Sequence, residues 1–179
     1  ALKKLISNNA NLYLKSEEGI DSILLAVQNN RINFIENFLT LNINLETKNL
    51  AGETPLYYSI MYQFNDISYI LLNAYLNLNV QENIRGLAPI HQAIKKGSFI
   101  IVKKLIDLGC DINIQDFLGR TPIHYSIEEN RINIFNLLEK LDINFNLENI
   151  NGYLPLHSIL EIKWNGSLKN IIRKTNLNK

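Results

Sequence analysis

The stretch Gly119-Arg120-Thr121-Pro122-Ile123-His124-Tyr125-Ser126 decides the fold, because it recurs along the chain at one spacing. Gly86-Leu87-Ala88-Pro89-Ile90-His91 comes before it, and Gly52-Glu53-Thr54-Pro55-Leu56-Tyr57 before that. Gly152-Tyr153-Leu154-Pro155-Leu156-His157 follows. An earlier copy, Gly19-Ile20-Asp21-Ser22-Ile23-Leu24, keeps the glycine and the apolar residue but lacks the proline. The five glycines stand 33, 34, 33 and 33 residues apart. All four prolines lie three residues after one of them, and all three histidines five residues after one. Self-similarity at such a period marks a repeat architecture.

The second half of the unit recurs as well. Val102 to Asn113 matches Leu2 to Tyr13 at an offset of 100 residues. The register divides the chain into a single array over 1–179. Residues 1–15 form the second half of a truncated unit. Full units follow at 16–48, 49–82, 83–115 and 116–148, with a last unit at 149–179.

Each recurring residue has a local reason. Thr54 and Thr121 precede proline and read as N-caps with Pro at the first helical position. A short inner helix follows, and Ala26, Ser59, Ala93 and Ser126 let neighbouring helices approach closely. Ile101, Val102, Leu105 and Ile106 then fall at the spacing of an outer helix. Gly109 is read as its left-handed terminus, with Asn9, Asn42 and Asp142 at the same site. Leu76 fits that site poorly, and the 34-residue spacing from Gly52 to Gly86 predicts an irregular turn or hairpin in that unit. Tyr58 and Tyr125 read as core. Trp164 reads as a shield for the end of the array or for the next unit. One unit cannot bury its apolar face alone, so neighbours must stack into a continuous core.

These motifs resemble the ankyrin repeat family. Gly119 to Ser126 is a near match to its Gly-x-Thr-Pro-Leu-His-x-Ala start, and Leu105 to Asn113 to its Leu-Leu-x-x-Gly-Ala-Asp-Val-Asn end. The resemblance covers essentially the whole chain. It implies an all-α solenoid of helix-turn-helix units with short hairpin arms, histidines that bridge adjacent units, and a partner protein docked in a concave groove. Carried over position by position, the family's variable sites at the hairpins include Leu50, Glu53, Ile84, Arg85, Leu87, Phe117, Leu118, Arg120, Ile150 and Tyr153. Those on the inner helices include Met61, Tyr62, Lys95, Lys96, Glu128 and Glu129. Glu161 and Ile162 fall at the last pair of helix sites. Leu50, Met61, Tyr62, Ile84, Leu87, Phe117, Leu118, Ile150 and Tyr153 would form an exposed apolar stripe, the mark of an interaction site. Apolar residues beside the glycines have an alternative use, which is to pack hairpin against hairpin.

Composition narrows the function. The 179 residues carry 18 basic and 17 acidic side chains, a balance unlike that of a nucleic-acid binder. No apolar run reaches the roughly 20 residues that span a bilayer, so no membrane insertion is expected. The longest runs are only a few residues, such as Phe99-Ile100-Ile101-Val102. A single cysteine, Cys110, excludes an internal disulfide and a cysteine-rich zinc site, and it reads as a small packing residue. The histidines stand one per unit, too far apart to share a metal. No phosphate loop, dinucleotide fingerprint or zinc-protease motif occurs. Neither an enzyme nor a cofactor is expected. The 27 asparagines and 27 isoleucines point to an AT-rich genome, a statement about the source and not the fold.

The sequence therefore predicts a non-catalytic, cytoplasmic protein-protein interaction module. The alternative is the targeting arm of a larger enzyme or of a pathogen or viral effector, which would act on host proteins in the host cytoplasm. Self-association through uncapped ends is a further expectation.

Overall fold

A computed structural model describes residues 8, 10–74, 76–161, 164, 166, 172 and 175. Its helices come in pairs. They are α1 (Ser22–Gln28) with α2 (Ile32–Thr40), α3 (Pro55–Met61) with α4 (Asn65–Leu72), and α5 (Pro89–Lys95) with α6 (Phe99–Asp107). The series continues with α7 (Pro122–Glu128), α8 (Ile132–Leu138) and α9 (Pro155–Glu161). No strand occurs among the described residues. The odd-numbered inner helices pack on one another in chain order, α2, α4, α6 and α8 do the same, and each pair packs internally. The result is a two-layer ladder.

Helices of seven to nine residues are too short to persist alone, so tertiary packing holds them. Ile90 and Ile94 of α5 meet Ile101, Val102 and Leu105 of α6 in one buried cluster that runs through all the units. The small sites Ala26, Ser59, Ala93 and Ser126 are buried. A buried hydroxyl needs a partner. Ser59 and Ser126 donate to the Leu56 and Ile123 carbonyls, both at 2.8 Å. Tyr58 and Tyr125 are core. Trp164 sets its ring edge-on against the buried Phe135, with centroids 4.9 Å apart.

The helix starts follow the sequence. Thr54 Oγ1 accepts the Tyr57 N–H at 3.2 Å. In the copy that lacks proline, Asp21 Oδ1 accepts the Ile23 and Leu24 N–H groups at 3.0 and 2.9 Å. The inner helices α1, α3, α5 and α7 end in left-handed residues, Asn30, Gln63, Gly97 and Asn130. The next N–H reaches back to the small-site carbonyl, as Arg31 does to Ala26 at 2.8 Å. This is the Schellman termination. Asn42 and Gly109 end their outer helices in the same way. Asp142 does not. Its helix is capped earlier, at Glu139, and Asp142 is not among the positive-φ residues. Asn9 lies outside the described residues.

Candidate functional site at the hairpin tips

Each hairpin turn is built on a side chain that caps its own loop. Asn49 Oδ1 accepts the Glu53 N–H at 2.9 Å. Asp116 Oδ1 accepts from Leu118 and Arg120 at 2.9 and 2.8 Å, and Asn149 Oδ1 from Asn151 and Tyr153 at 2.9 and 3.0 Å. Ser16 Oγ accepts from Ile20 at 3.2 Å. Such side chains imitate a backbone turn. The extra residue of the 34-residue unit lies in this turn. The loop closes between Glu82 and Leu87, against Asp116 and Arg120 in the next unit. Glu82, one methylene longer, spans it and accepts from Ile84, Arg85 and Leu87 at 2.7, 2.8 and 3.0 Å.

Successive tips are stitched together by their backbones. Leu50, Asn83, Phe117 and Ile150 donate to the carbonyls of Glu18, Ala51, Arg85 and Leu118 at 3.3, 2.7, 2.9 and 2.9 Å. The repeating glycine makes room for this. Gly86 has φ +72°, and a Cβ there would run into the Phe117 ring. A residue with a side chain would be both strained and in collision.

The predicted stripe divides on this frame. Leu50, Tyr62, Ile84, Phe117, Leu118, Ile150 and Tyr153 are exposed, and Met61 is half-buried. Tyr62 stacks on Phe64 with centroids 5.8 Å apart. Leu118, Ile150 and Tyr153 line one cleft of about 360 Å³ together with Arg120 and Glu128. Leu87 is a correction, because it is fully buried and faces no partner. Its backbone is clamped to Glu82 from both sides, and its apolar side chain gains by turning into the core. Glu53 and Arg120, at the same register, are half-buried.

The charged candidates are occupied internally. Glu53 accepts from Asn49 Nδ2 at 2.7 Å, and Lys95 pairs with Glu129 at 3.2 Å. Arg120 turns inward. Its Nε and one terminal nitrogen donate to Asp116 Oδ2 at 3.0 and 2.9 Å, and its other nitrogen reaches Glu128 at 3.4 Å. Its guanidinium also lies 4.6 Å from the Tyr125 ring centroid. Burial would raise the Asp116 carboxyl; the Tyr125 hydroxyl, the Arg120 backbone and the Arg120 guanidinium outweigh burial and hold it below its ordinary range. Glu128 is raised, chiefly by burial. Arg85 is exposed and Lys96 half-buried.

The sequence reading missed two features. Asp116 was overlooked as the hub of this network, although an acid three residues before the glycine signals a capped turn. Tyr69 and Ile100 are exposed on the outer helices. Four consecutive apolar residues at Phe99 to Val102 exceed what one helix stripe can bury, so one of them had to point outward.

The histidines are structural. His91 Nδ1 accepts from the Ala88 N–H at 3.1 Å and its Nε2 reaches the Ile114 carbonyl, also at 3.1 Å, at the end of its own unit. His124 Nδ1 accepts from the Thr121 N–H, and its Nε2 reaches into the next unit to the Tyr153 carbonyl, at 3.2 Å each. Both arrangements require the neutral ring with its proton on Nε2. Burial drives His91 down to about 4 and lowers His124. Cys110 is buried, and that burial pushes its thiol up to about 12, far from thiolate chemistry. Among the described residues no three His, Cys, Asp or Glu side chains are placed to hold a metal ion. No helix among them is long and apolar enough to cross a membrane.

Known proteins share this pattern. Residues 71–149 match the model of ankyrin repeats in three copies. An ankyrin repeat protein of Acanthamoeba polyphaga mimivirus is 28% identical over 119 residues, which cover 66% of this chain and 16% of that protein. One from Fowlpox virus is 33% identical over 70 residues, 39% of this chain and 37% of its own. The chain spans well under half the length of either relative. Ankyrin repeats are in general non-catalytic modules for protein interaction. Family model, viral relatives, periodic turns and paired helices agree: residues 71–149 are ankyrin repeats, and the chain folds as an all-α ankyrin solenoid.

Proposed function

We propose that this array is a cytoplasmic, non-catalytic module that docks a partner protein along its hairpin tips and the adjoining inner-helix groove. The observation that carries the reading is the row of exposed apolar side chains on a stitched backbone: Leu50, Ile84, Phe117, Leu118, Ile150 and Tyr153, with Tyr62 beside them. Exposed apolar groups in such a row favour association. Their rigid mounting lowers the entropy lost on binding. Aromatic anchors such as Phe117 and Tyr62 are the types that dominate interface energies. Lys95, Arg120, Glu128 and Glu129 are already paired within the chain, which leaves them to set orientation at the rim.

The test is a pull-down from cytosolic lysate with the wild-type chain beside a Tyr62→Ala, Phe117→Ala variant, read by mass spectrometry. Both side chains are exposed, so the variant keeps its helical signal. A protein retained by the wild type and lost on the variant supports the tip ridge. Equal retention on both removes it. The viral relatives favour a second reading, in which the module is the targeting arm of a larger effector that engages host proteins. A host protein among those lost on the variant is the outcome expected then.

A further inference from the structure

Tyr125 lies six residues after the repeating glycine and fills the junction between α5 and α7. It is buried, and its ring rests on His91 with centroids 5.2 Å apart. Two cations cover the ring. Lys95 Nζ lies 5.4 Å and the Arg120 guanidinium 4.6 Å from its centroid. The next junction, where α9 packs on α7, has the same three registers with different residues. Ser158 stands in the place of Tyr125, Glu128 in that of Lys95 and Tyr153 in that of Arg120.

A serine at this register leaves the volume of a phenol ring unfilled, and the open cleft of about 360 Å³ lies there. Leu118 and Ile150 give it apolar walls, and Arg120, Glu128, Tyr153 and Ser158 line it as well. Ser158 is only 5% exposed, yet its hydroxyl makes no hydrogen bond to any described residue. The charges are unevenly served. Asp116 receives Arg120 Nε and one terminal nitrogen at 3.0 and 2.9 Å, which leaves Glu128 the longer contact to the other nitrogen at 3.4 Å. One guanidinium thus answers two carboxylates, and Lys95 is engaged by Glu129. The Glu128 carboxyl is raised by burial first, and the Asp116 and Glu129 charges add to this; Arg120 and Lys95 pull the other way without offsetting it.

We propose that this cleft takes a cationic side chain of the partner, arginine or lysine, with its stem on Leu118 and Ile150 and its charge between the Glu128 carboxylate and the Tyr153 ring. The Ser158 hydroxyl then serves as a further acceptor. The inference rests on the reading of the tips as a partner site and states which group this part of the ridge receives. The argument is complementarity with the preceding junction. There the chain supplies ring and cations itself; here it supplies a ring, a carboxylate and a free hydroxyl, and a guest cation completes the set. A cation gains from an aromatic ring and from a partly desolvated carboxylate together. A guest carboxylate would meet Glu128 as a like charge. An apolar guest would shut the Ser158 hydroxyl and the Glu128 charge away from water without a partner.

NMR titration of the whole chain at neutral pH tests this. The probes are N-acetylarginine amide, N-acetyl-lysine amide and N-acetylcitrulline amide, the last of which keeps the shape of arginine without its charge. The two cations are expected to shift the Leu118, Glu128 and Tyr153 amides saturably, and the citrulline probe to bind at least about fivefold more weakly. Added salt should weaken the cations and not the citrulline probe. Glu128→Gln should lower the cation affinity at least about fivefold. Ser158→Tyr restores the ring that α7 carries and should close the cleft to all three probes; Glu128→Gln decides the matter if that variant does not fold. Citrulline binding as tight as arginine overturns the inference. So does the absence of a saturable shift at the cleft, or wild-type affinity in Glu128→Gln. The Tyr62→Ala, Phe117→Ala variant should bind both cations as the wild type does, so a failed pull-down and a failed titration are told apart.

Discussion

The Tyr125 hydroxyl donates to Asp116 Oδ2 at 2.7 Å, which ties the buried face of α7 to the hairpin turn nine residues before it. The same carboxylate caps its own turn and receives the Arg120 guanidinium, so one side chain joins tip, helix and groove. Removing it leaves a buried phenol, a half-buried guanidinium and two turn N–H groups without their acceptor. Breaking such a pair from one side typically costs about 3–5 kcal/mol. Asp116→Ala is therefore expected to lower unfolding stability by about 3 kcal/mol in urea titration. A loss below about 1 kcal/mol would show that the network is incidental.

Glu82 and the length of its loop should be coupled. Glu82→Asp draws the carboxylate back by one methylene from a loop that is one residue longer than its neighbours, and about 1 kcal/mol of capping is expected to disappear. Deleting Ile84 in the same chain restores the shorter loop, for which aspartate is the right length, as at Asp116. The double variant should be more stable than Glu82→Asp alone. Simple additivity of the two losses would refute the coupling.

Gln63 is the odd member of the left-handed series Asn30, Gln63, Gly97 and Asn130, with φ +60°. A side chain in that region costs about 1–2 kcal/mol, and glycine returns part of the gain as unfolded-state entropy. Gln63→Gly should raise stability by about 0.5–1 kcal/mol, visible as a shifted denaturation midpoint at unchanged slope. A lower midpoint would mean that the Gln63 side chain contributes more than its backbone loses.

Stability should fall on mild acidification. Burial holds His91 at about 4 in the folded chain, while an unfolded histidine titrates near 6.5. Below that value the unfolded state binds the extra proton. Stability that is complete above about pH 6.5 is thus lost as pH falls through about 4, and His124 acts in the same direction. Between pH 7 and 4.5, His91 alone should remove about 2–3 kcal/mol. The carboxylate contribution of Asp116 is lost only below the ordinary carboxylate range, so the two windows separate. Denaturation curves at the two pH values should therefore differ for the wild type and much less for His91→Gln.

Much of this was legible in the residues. The glycine register predicted the unit length, Thr54-Pro55 and Thr121-Pro122 predicted helix starts, and the small sites predicted close inner-helix packing. These are local devices: a left-handed turn, a cap and a missing side chain act within a few residues of themselves. Apart from sites such as Asn9 and Asn42, the abundance of asparagine points in sequence only to genome composition, yet Asn49 and Asn149 cap hairpin turns. Asn79 and Asn113 accept N–H groups from the following unit, those of Asp111 and Asn144, at 2.8 and 2.9 Å.

The sequence by itself determined the period, the helix pairs and the stacking of units, because a pattern that recurs at one spacing dictates the same local structure each time. Only the tertiary structure decided which members of the apolar stripe meet water. Leu87 and Phe117 are equally apolar and lie near equivalent glycines, yet one fills the core and the other lies over Gly86 in solvent. Leu87 has its backbone bonded to Glu82 within its own loop, while Phe117 is bonded to Arg85 on the neighbouring tip. The second contact joins residues about 30 positions apart across a unit boundary, which no short window of sequence contains.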